Sequence, residues 1–149
     1  IRQKLKQYNN IPVYYMNYRP LNFQFLNSDL SHLKTIPLKQ LESEEVLAVS
    51  GIGNPEGFIK TLKDLSLKVK DSLHFADHYQ YGKDGINHII DLCKKNKVDK
   101  VIITEKDGVK FTPEIMDTLD KAGIKIYCLK ISVEINRERE FFSHIKPIF

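Results

Sequence analysis

From Val46 onward, short apolar segments alternate with segments whose apolar residues recur at helical spacing. The run VLAVS begins at Val46, and Phe58, Leu62 and Leu65 follow it at intervals of three or four residues, as on one face of a helix. The same alternation continues to the segment IKIYCLKISVEI near the end of the chain. It predicts right-handed βαβ units, and therefore an α/β fold with a mostly parallel sheet and helices on both faces (a three-layer α/β/α fold).

Helix-start signals place the boundaries of several predicted elements. Asn54 and Thr112 are good N-cap residues, and a proline follows each of them at the first helical position. Gly123 is a suitable residue to end the helix that Thr112 begins. The other predicted elements are strands at residues 67–75, at KVIIT (residues 100–104) and at IKIYCLKISVEI, a helix over about residues 83–96, and a last helix at NREREFFSHI.

The first 45 residues lack this regular pattern. Residues 1–9 have helical spacing, and IPVYYMNY, from Ile11 to Tyr18, is β-branched and aromatic and predicts a strand. Between Arg19 and Glu45, Pro20 and Pro37 interrupt the pattern, so only short strand-like pieces are expected there. We therefore interpret residues 1–45 as a connecting segment with one or more strands, and residues 46–149 as the main α/β lobe.

Composition excludes several classes of function. The chain has 149 residues and a net charge of +4, with scattered lysines and no basic run interleaved with aromatic residues, so nucleic acid is not an expected partner. No apolar run reaches the roughly 18 residues that a membrane-spanning helix needs. Cys93 and Cys128 each lie in an apolar segment and do not form a C-x-x-C pair, which predicts two buried free thiols.

Polar clusters follow three of the predicted strands at the point where each strand ends. They are Gly51-Ile52-Gly53-Asn54-Pro55, Phe75-Ala76-Asp77-His78-Tyr79 and Thr104-Glu105-Lys106-Asp107. Because the carboxyl ends of parallel strands meet at one edge of a sheet, and ligands of such sheets bind beyond that edge, these clusters predict a functional site there.

The glycine turn has two interpretations. Gly51 and Gly53 would let backbone approach an anion at a helix N-terminus, or they would simply form a tight turn between a strand and a helix. The turn matches neither G-x-G-x-x-G nor G-x-x-x-x-G-K-[ST], so it lacks the lysine and hydroxyl with which a P-loop holds a nucleotide triphosphate and magnesium.

The other two clusters also have two interpretations each. His78 beside Asp77 suits an acid–base pair, or else a surface pair in a turn. Lys106 suits a phosphate contact with Glu105 or Asp107 holding it in place, or else the cluster is a salt-bridged turn without a ligand.

The motifs AVSGIGNPEGF, FADHYQY and IITEKDGVKF, in this order and spacing, resemble the C-terminal half of the lipid A 4′-kinase (tetraacyldisaccharide 4′-kinase) family. The similarity is good over Val46 to Phe111 and weak on either side. The resemblance implies ATP- and magnesium-dependent transfer of a γ-phosphoryl group to the 4′-hydroxyl of an acylated glucosamine disaccharide 1-phosphate. The reaction belongs to lipid A synthesis at the cytoplasmic face of the bacterial inner membrane, and a membrane surface is an expected partner of the full enzyme.

The resemblance also implies roles for individual residues. The Asp-His pair of the family's second lobe matches Asp77 and His78, and the family histidine is thought to partner an aspartate of a P-loop domain that activates the sugar hydroxyl. His78 is therefore the expected catalytic residue, supported by Asp77. A second set is expected to line the cleft around the cofactor: Gly51, Gly53, Asn54, Glu105, Lys106 and Asp107.

Departures from the family pattern limit what this chain is expected to do alone. Ala76 stands where the family often has proline, and Tyr79 where it often has histidine, so no second histidine is present. The sequence contains neither a P-loop nor a paired-aspartate metal motif, so ATP and magnesium would be bound mainly by an N-terminal P-loop domain, of which residues 1–45 are the linker. The alternatives are a stand-alone module that binds a small anion and a purely structural partner lobe.

Overall fold

The computed structural model describes residues 12–29, 33–77 and 79–145, and within them six strands form one sheet. The strands are β1 (Met16–Leu26), β2 (Lys34–Ile36), β3 (Glu45–Ser50), β4 (Lys68–His74), β5 (Lys100–Thr104) and β6 (Lys125–Ile135). Their spatial order is β2-β1-β6-β5-β3-β4. β3 pairs in parallel with β4 and β5, and β5 pairs in parallel with β6, whereas β1 and β2 are antiparallel. The predicted, mostly parallel sheet is confirmed.

The described residues also contain five α-helical segments and one 3₁₀ turn, of which the last helix follows the last strand. They are a 3₁₀ turn (Leu38–Leu41), α1 (Pro55–Asp64), α2 (Lys83–Asn96), the single-turn α3 (Glu105–Gly108), α4 (Pro113–Lys121) and α5 (Glu138–Ile145). The predicted N-caps are present: the Asn54 side chain accepts a hydrogen bond from the Gly57 N–H at 3.0 Å, and Thr112 accepts one from the Ile115 N–H at 3.4 Å. Beyond α4, Gly123 takes a φ of +75°, which glycine adopts without strain.

Apolar side chains leave the strands on alternate faces, so each face of the sheet carries its own core. On one face, Leu47, Val49, Val101 and Ile103 pack with Ile86 and Ile89 of α2 and with Met116 and Leu119 of α4. On the other face, Val46, Ala48 and Ile102 pack with Phe58 and Leu62 of α1. This two-residue period is the geometry of a strand with both faces buried. Helices cover both faces, so the predicted three-layer architecture is confirmed.

The N-terminal strand differs from its prediction. It begins at Met16, not near Ile11, and it runs through Pro20 to Leu26, where only short pieces were expected. β2 pairs with β1 at residues 23–25, so Pro20 lies outside that pairing. Phe23, which is fully buried, anchors this part of the strand in the core. The predicted helical segment at residues 1–9 lies outside the described residues.

Contacts divide the chain into two compact units. The larger unit, Pro20–Ile131, contains both cores and all the polar clusters singled out in the sequence. The smaller unit includes the described residues 12–19 and 132–145, in which Tyr14 packs edge-on against Phe141 with ring centroids 5.3 Å apart. This division into two units does not test the interpretation of residues 1–45 as a linker from another domain, which stays a prediction.

Candidate functional site

The three polar clusters meet at the carboxyl ends of β3, β4 and β5, which are neighbours in the order β5-β3-β4. We refer to residues 51–55, 75–77 together with 79, and 104–107 as the strand-end rim. Its segments are linked directly: the Gly51 N–H donates to Asp107 Oδ2 at 2.9 Å, the Phe75 N–H donates to the Ser50 carbonyl at 2.9 Å, and Lys106 forms an ion pair with Asp77. The parallel topology therefore brings these segments together, as the sequence analysis expected.

Gly51 lies at the closest approach within the rim. It is buried, and a Cβ atom at this position would lie 3.0 Å from Asp107 Oδ1 and 3.3 Å from the Ala76 carbonyl oxygen. Its N–H is already donated to a carboxylate, so it does not point at an external anion. For Gly51 the geometry favours the interpretation as a tight turn over the interpretation as a phosphate cradle.

Gly53 and Asn54 lie on the outer part of the same turn. Both are exposed, and a Cβ atom at Gly53 would meet nothing within 4 Å. The Asn54 side-chain oxygen is used as the N-cap of α1, because it accepts the Gly57 N–H. The expected role of Gly53 and Asn54 in binding a cofactor stays a prediction.

Asp107 is a buried carboxylate beneath the rim, with no exposed surface. It accepts hydrogen bonds from the Gly51 N–H and from Thr104 Oγ1, the latter at 2.7 Å, and Lys110 Nζ lies 3.5 Å from its other oxygen. The Lys110 side chain is itself only 13% exposed. A buried charge is costly unless it is paired and hydrogen-bonded, and Asp107 meets both conditions inside the chain. Its carboxylate thus holds two strand ends together.

An aromatic cluster supports the segment after β4. The rings of Phe75 and Tyr79 stack with centroids 4.3 Å apart, and Tyr81 packs edge-on against both rings. The ring centroid of Tyr81 also lies 4.8 Å from that of Phe111. The Tyr81 hydroxyl is buried without a hydrogen-bond partner of normal geometry in the described part of the chain, although it is close enough to Asp107 to feel its charge. Burial, and then the negative charge of Asp107, raise the pKa of Tyr81 far above its usual range. Tyr81 therefore stays neutral and acts in packing.

Asp77 lies at the exposed surface of the rim, where Lys106 pairs with its carboxylate. Both side chains are about half exposed, at 49% and 44%. The neighbouring His78, which is the expected catalytic residue, lies outside the described residues. Its two neighbours are described: Asp77 pairs with Lys106, and the Tyr79 ring stacks on Phe75.

Glu105 points toward the next strand of the sheet. Its carboxylate accepts the Ile131 N–H at 3.1 Å and forms an ion pair with Lys130, both residues within β6. The sequence analysis expected Glu105 or Asp107 to hold Lys106, but Lys106 pairs instead with Asp77 from another loop. Sequence reasoning also did not single out Lys110, Lys130 or Tyr81. The only signal for Tyr81 was its place in the motif FADHYQY.

Two groups of the rim that could contact a phosphate are already paired inside the chain. The Gly51 N–H and the Lys106 ammonium both have partners within the chain. Across residues 12–29, 33–77 and 79–145, no group of three or more His, Cys, Asp or Glu side chains is arranged to hold a metal ion. No step that uses ATP or magnesium is therefore derived from these residues alone.

Comparison with known proteins identifies the family. The family model for tetraacyldisaccharide-1-P 4′-kinase (LpxK) matches residues 2–149. A tetraacyldisaccharide 4′-kinase from Halothermothrix orenii is 34% identical over 141 residues, which are 91% of this chain and 37% of that protein. One from Desulfatibacillum aliphaticivorans is 31% identical over 139 residues, 91% of this chain and 36% of that protein.

A solved structure agrees with this assignment. The crystal structure of the "apo" form of LpxK from Aquifex aeolicus in complex with ATP superposes with a TM-score of 0.53 at 26% sequence identity. The match covers 94% of this chain and 37% of that one, so the chain spans somewhat more than a third of the length of the relatives it matches. From the family model and these relatives, we conclude that the chain belongs to the tetraacyldisaccharide 4′-kinase family.

Proposed function

We propose that the chain is the C-terminal lobe of a lipid A 4′-kinase. The whole protein would transfer the γ-phosphate of ATP to the 4′-hydroxyl of a tetraacyldisaccharide 1-phosphate. The observation that carries the proposal is the family match over residues 2–149, combined with a span of about 37% of the relatives' length. Phosphoryl transfer depends on a phosphate loop, its lysine and magnesium, and the sequence of this chain has no such loop.

In this proposal the strand-end rim forms one wall of the active-site cleft. His78 is the catalytic contribution of the lobe: it would partner an aspartate of the P-loop domain that activates the sugar hydroxyl. Asp77 would support His78, and the ion pair between Asp77 and Lys106 favours a fixed position for that support. ATP and magnesium would be bound mainly by the P-loop domain, which either precedes this lobe in one chain or is a separate chain.

The acceptor determines where the enzyme would work. A tetraacylated disaccharide is held in a bilayer by its acyl chains, so the full enzyme would act as a peripheral protein at the cytoplasmic face of the inner membrane. None of the helices in the described residues is long and apolar enough to cross a membrane.

The test compares this lobe with the full-length enzyme in an assay of phosphate transfer from ATP to the disaccharide 1-phosphate. We expect transfer by the full-length enzyme and none by the lobe alone. In the full-length enzyme, His78→Ala should lower kcat by roughly 10²- to 10⁴-fold, which is the usual contribution of a positioned acid–base group. His88→Ala is the matched control, because His88 is exposed on α2 and belongs to none of the rim segments.

Turnover by the isolated lobe would contradict the proposal that a P-loop domain binds ATP and magnesium. Normal kcat in the His78→Ala enzyme would contradict the catalytic role of His78. Of the alternatives, the structural partner lobe gains support from Gly51, whose N–H is used inside the chain. Titration of the isolated lobe with ATP or phosphate separates that alternative from an anion-binding module, because only the module would bind either ligand.

A further inference from the structure

The single-turn helix α3 contacts strand β6 and the segments that follow β3 and β4, each through one side chain. Glu105 accepts the Ile131 N–H within β6, Lys106 reaches Asp77 in the segment after β4, and Asp107 accepts the Gly51 N–H after β3. Three successive side chains of a helix point in directions about 100° apart, so one turn is enough to reach three sides. α3 therefore joins β6 to the segments after β3 and β4, while it continues directly from β5.

The base of this arrangement is fixed. Thr104 caps α3, because its Oγ1 accepts the Asp107 N–H at 3.2 Å, and the same hydroxyl donates to the Asp107 carboxylate. Asp107 has no exposed surface, so the tether to Gly51 is buried and shielded from solvent. Lys106 extends from this rigid base across the position of β3, which lies between β5 and β4, to reach the segment after β4.

We infer that Lys106 is a positioning residue that holds Asp77, and with it the segment that contains His78, in the geometry needed for phosphoryl transfer. The inference rests on the proposed function. It differs from the expectation that Lys106 contacts the cofactor, because the ammonium already pairs with a carboxylate of the rim. The stacking of Tyr79 on Phe75 fixes the same segment on the other side of position 78, and Lys106 supplies the second point of attachment.

The two roles of Lys106 have different kinetic consequences. A ligand of the ATP phosphates contributes to ground-state binding, so its loss should raise KM for ATP. A residue that only positions the catalytic segment should affect kcat, and KM for ATP should stay close to the wild-type value. Lys106 is 44% exposed, so its replacement is not expected to prevent folding.

The experiment uses the full-length enzyme with Lys106→Met, Lys106→Arg and the control Lys60→Met. Lys60 also forms an exposed ion pair, with Asp64, but within α1 and without contact to another loop. We expect Lys106→Met to lower kcat by about tenfold or more, with KM for ATP changed less than about twofold. Lys106→Arg should recover most of the lost kcat, because a guanidinium can still pair with Asp77. Lys60→Met should behave as the wild type.

Amide hydrogen exchange over residues 75–81 gives a readout independent of catalysis. Lys106→Met should accelerate exchange in that segment, and Lys60→Met should not. Unchanged kcat in Lys106→Met, or a raised KM for ATP with unchanged kcat, would overturn the inference. If the wild-type enzyme transfers no phosphate, the proposed function fails, and exchange over residues 75–81 still decides whether Lys106 holds the segment: unchanged exchange in Lys106→Met overturns that role.

Discussion

At the scale of single residues, the contact between Gly51 and Asp107 explains why the turn after β3 contains glycine without acting as a phosphate loop. The Gly51 backbone comes close enough to donate its N–H to the buried Asp107 carboxylate, and the Ala76 carbonyl oxygen lies on another side of it. A side chain would occupy the space that this approach requires. The glycine thus serves a packing contact between three loops, which in turn positions the rim.

This contact predicts that Gly51→Ala destabilises the protein. The added Cβ would lie 3.0 Å from Asp107 Oδ1 and 3.3 Å from the Ala76 carbonyl oxygen, and both neighbours are held in place. We expect a loss of about 1–3 kcal/mol in the free energy of unfolding, the usual cost of overpacking. Urea denaturation measures it, with Gly53→Ala as the control because its Cβ would meet nothing within 4 Å. Equal effects of the two substitutions would refute this account.

At the scale of secondary-structure elements, periodic patterns and caps predicted the strands and helices after Val46 closely. α2 has the predicted bounds, and Asn54 and Thr112 cap the helices that they were expected to begin. β1 was predicted poorly because Pro20 was taken as a break. Pro20 lies beyond the residues of β1 that pair with the short β2, and Phe23 is buried in the core. Both facts depend on contacts between distant segments, which a local sequence pattern does not contain.

For the candidate site, the sequence predicted which segments meet but not which side chains pair. Parallel topology was sufficient to expect that the ends of β3, β4 and β5 meet, and they do. The partner of each side chain was not predictable, because it depends on the direction in which each residue leaves its turn. Lys106 reaches Asp77 in the segment after β4, a strand that is not adjacent to β5, whereas the neighbouring Asp107 turns inward to Gly51.

Opposite the rim, at the amino ends of β5 and β6, Asp99 joins the two strands and gives a prediction about pH. Lys125 Nζ donates to its carboxylate at 2.9 Å, and Lys100 Nζ lies 3.3 Å from it. The hydrogen bond from Lys125, aided by Lys100 and opposed by partial burial, lowers the pKa of Asp99 below its ordinary value of 3.8. A lowered pKa in the folded state adds stability above the unfolded pKa, and that stability is lost as pH falls through the folded pKa.

Asp99→Asn should therefore reduce the free energy of unfolding at pH 7 by no more than about 1 kcal/mol, because these side chains are half exposed and solvent screens them. The difference from the wild type should shrink as the pH falls below about 4. Urea titrations at a series of pH values measure it, with Asp91→Asn, exposed on α2, as the control. A difference that is independent of pH would show that the carboxylate charge is not the cause.

At the scale of the whole molecule, the catalytic proposal requires a stable lobe that presents its rim without rearrangement. The larger unit, Pro20–Ile131, supplies this through two cores on opposite faces of one sheet. The rim segments leave directly from strands that both cores bury, and buried Asp107 joins them from below. The backbone of a rim supported in this way would change little when a partner domain binds. The motion that closes a cleft would then have to occur outside this unit.

The two cysteines test whether this larger unit opens as one cooperative body. Cys93 on α2 and Cys128 on β6 belong to the same core and are 2% and 4% exposed. Burial raises the pKa of each thiol to about 12, so both are neutral at pH 8 and unreactive in the folded state. Alkylation by iodoacetamide therefore requires an opening that exposes the sulfur atoms.

If the unit opens as a whole, both thiols should be modified slowly under native conditions and at equal rates, with rapid reaction in urea. Digestion followed by mass spectrometry gives the rate at each cysteine separately, and the urea-unfolded chain is the control for intrinsic reactivity. Faster modification of Cys93 than of Cys128 would mean that α2 detaches from a sheet that stays folded. In that case the aromatic cluster between α2 and the rim would be exposed by the same motion, because Tyr79 packs on Gly85 at the start of that helix. The rim would then not be a fixed wall, and the positioning role of Lys106 would act on a segment that α2 can release.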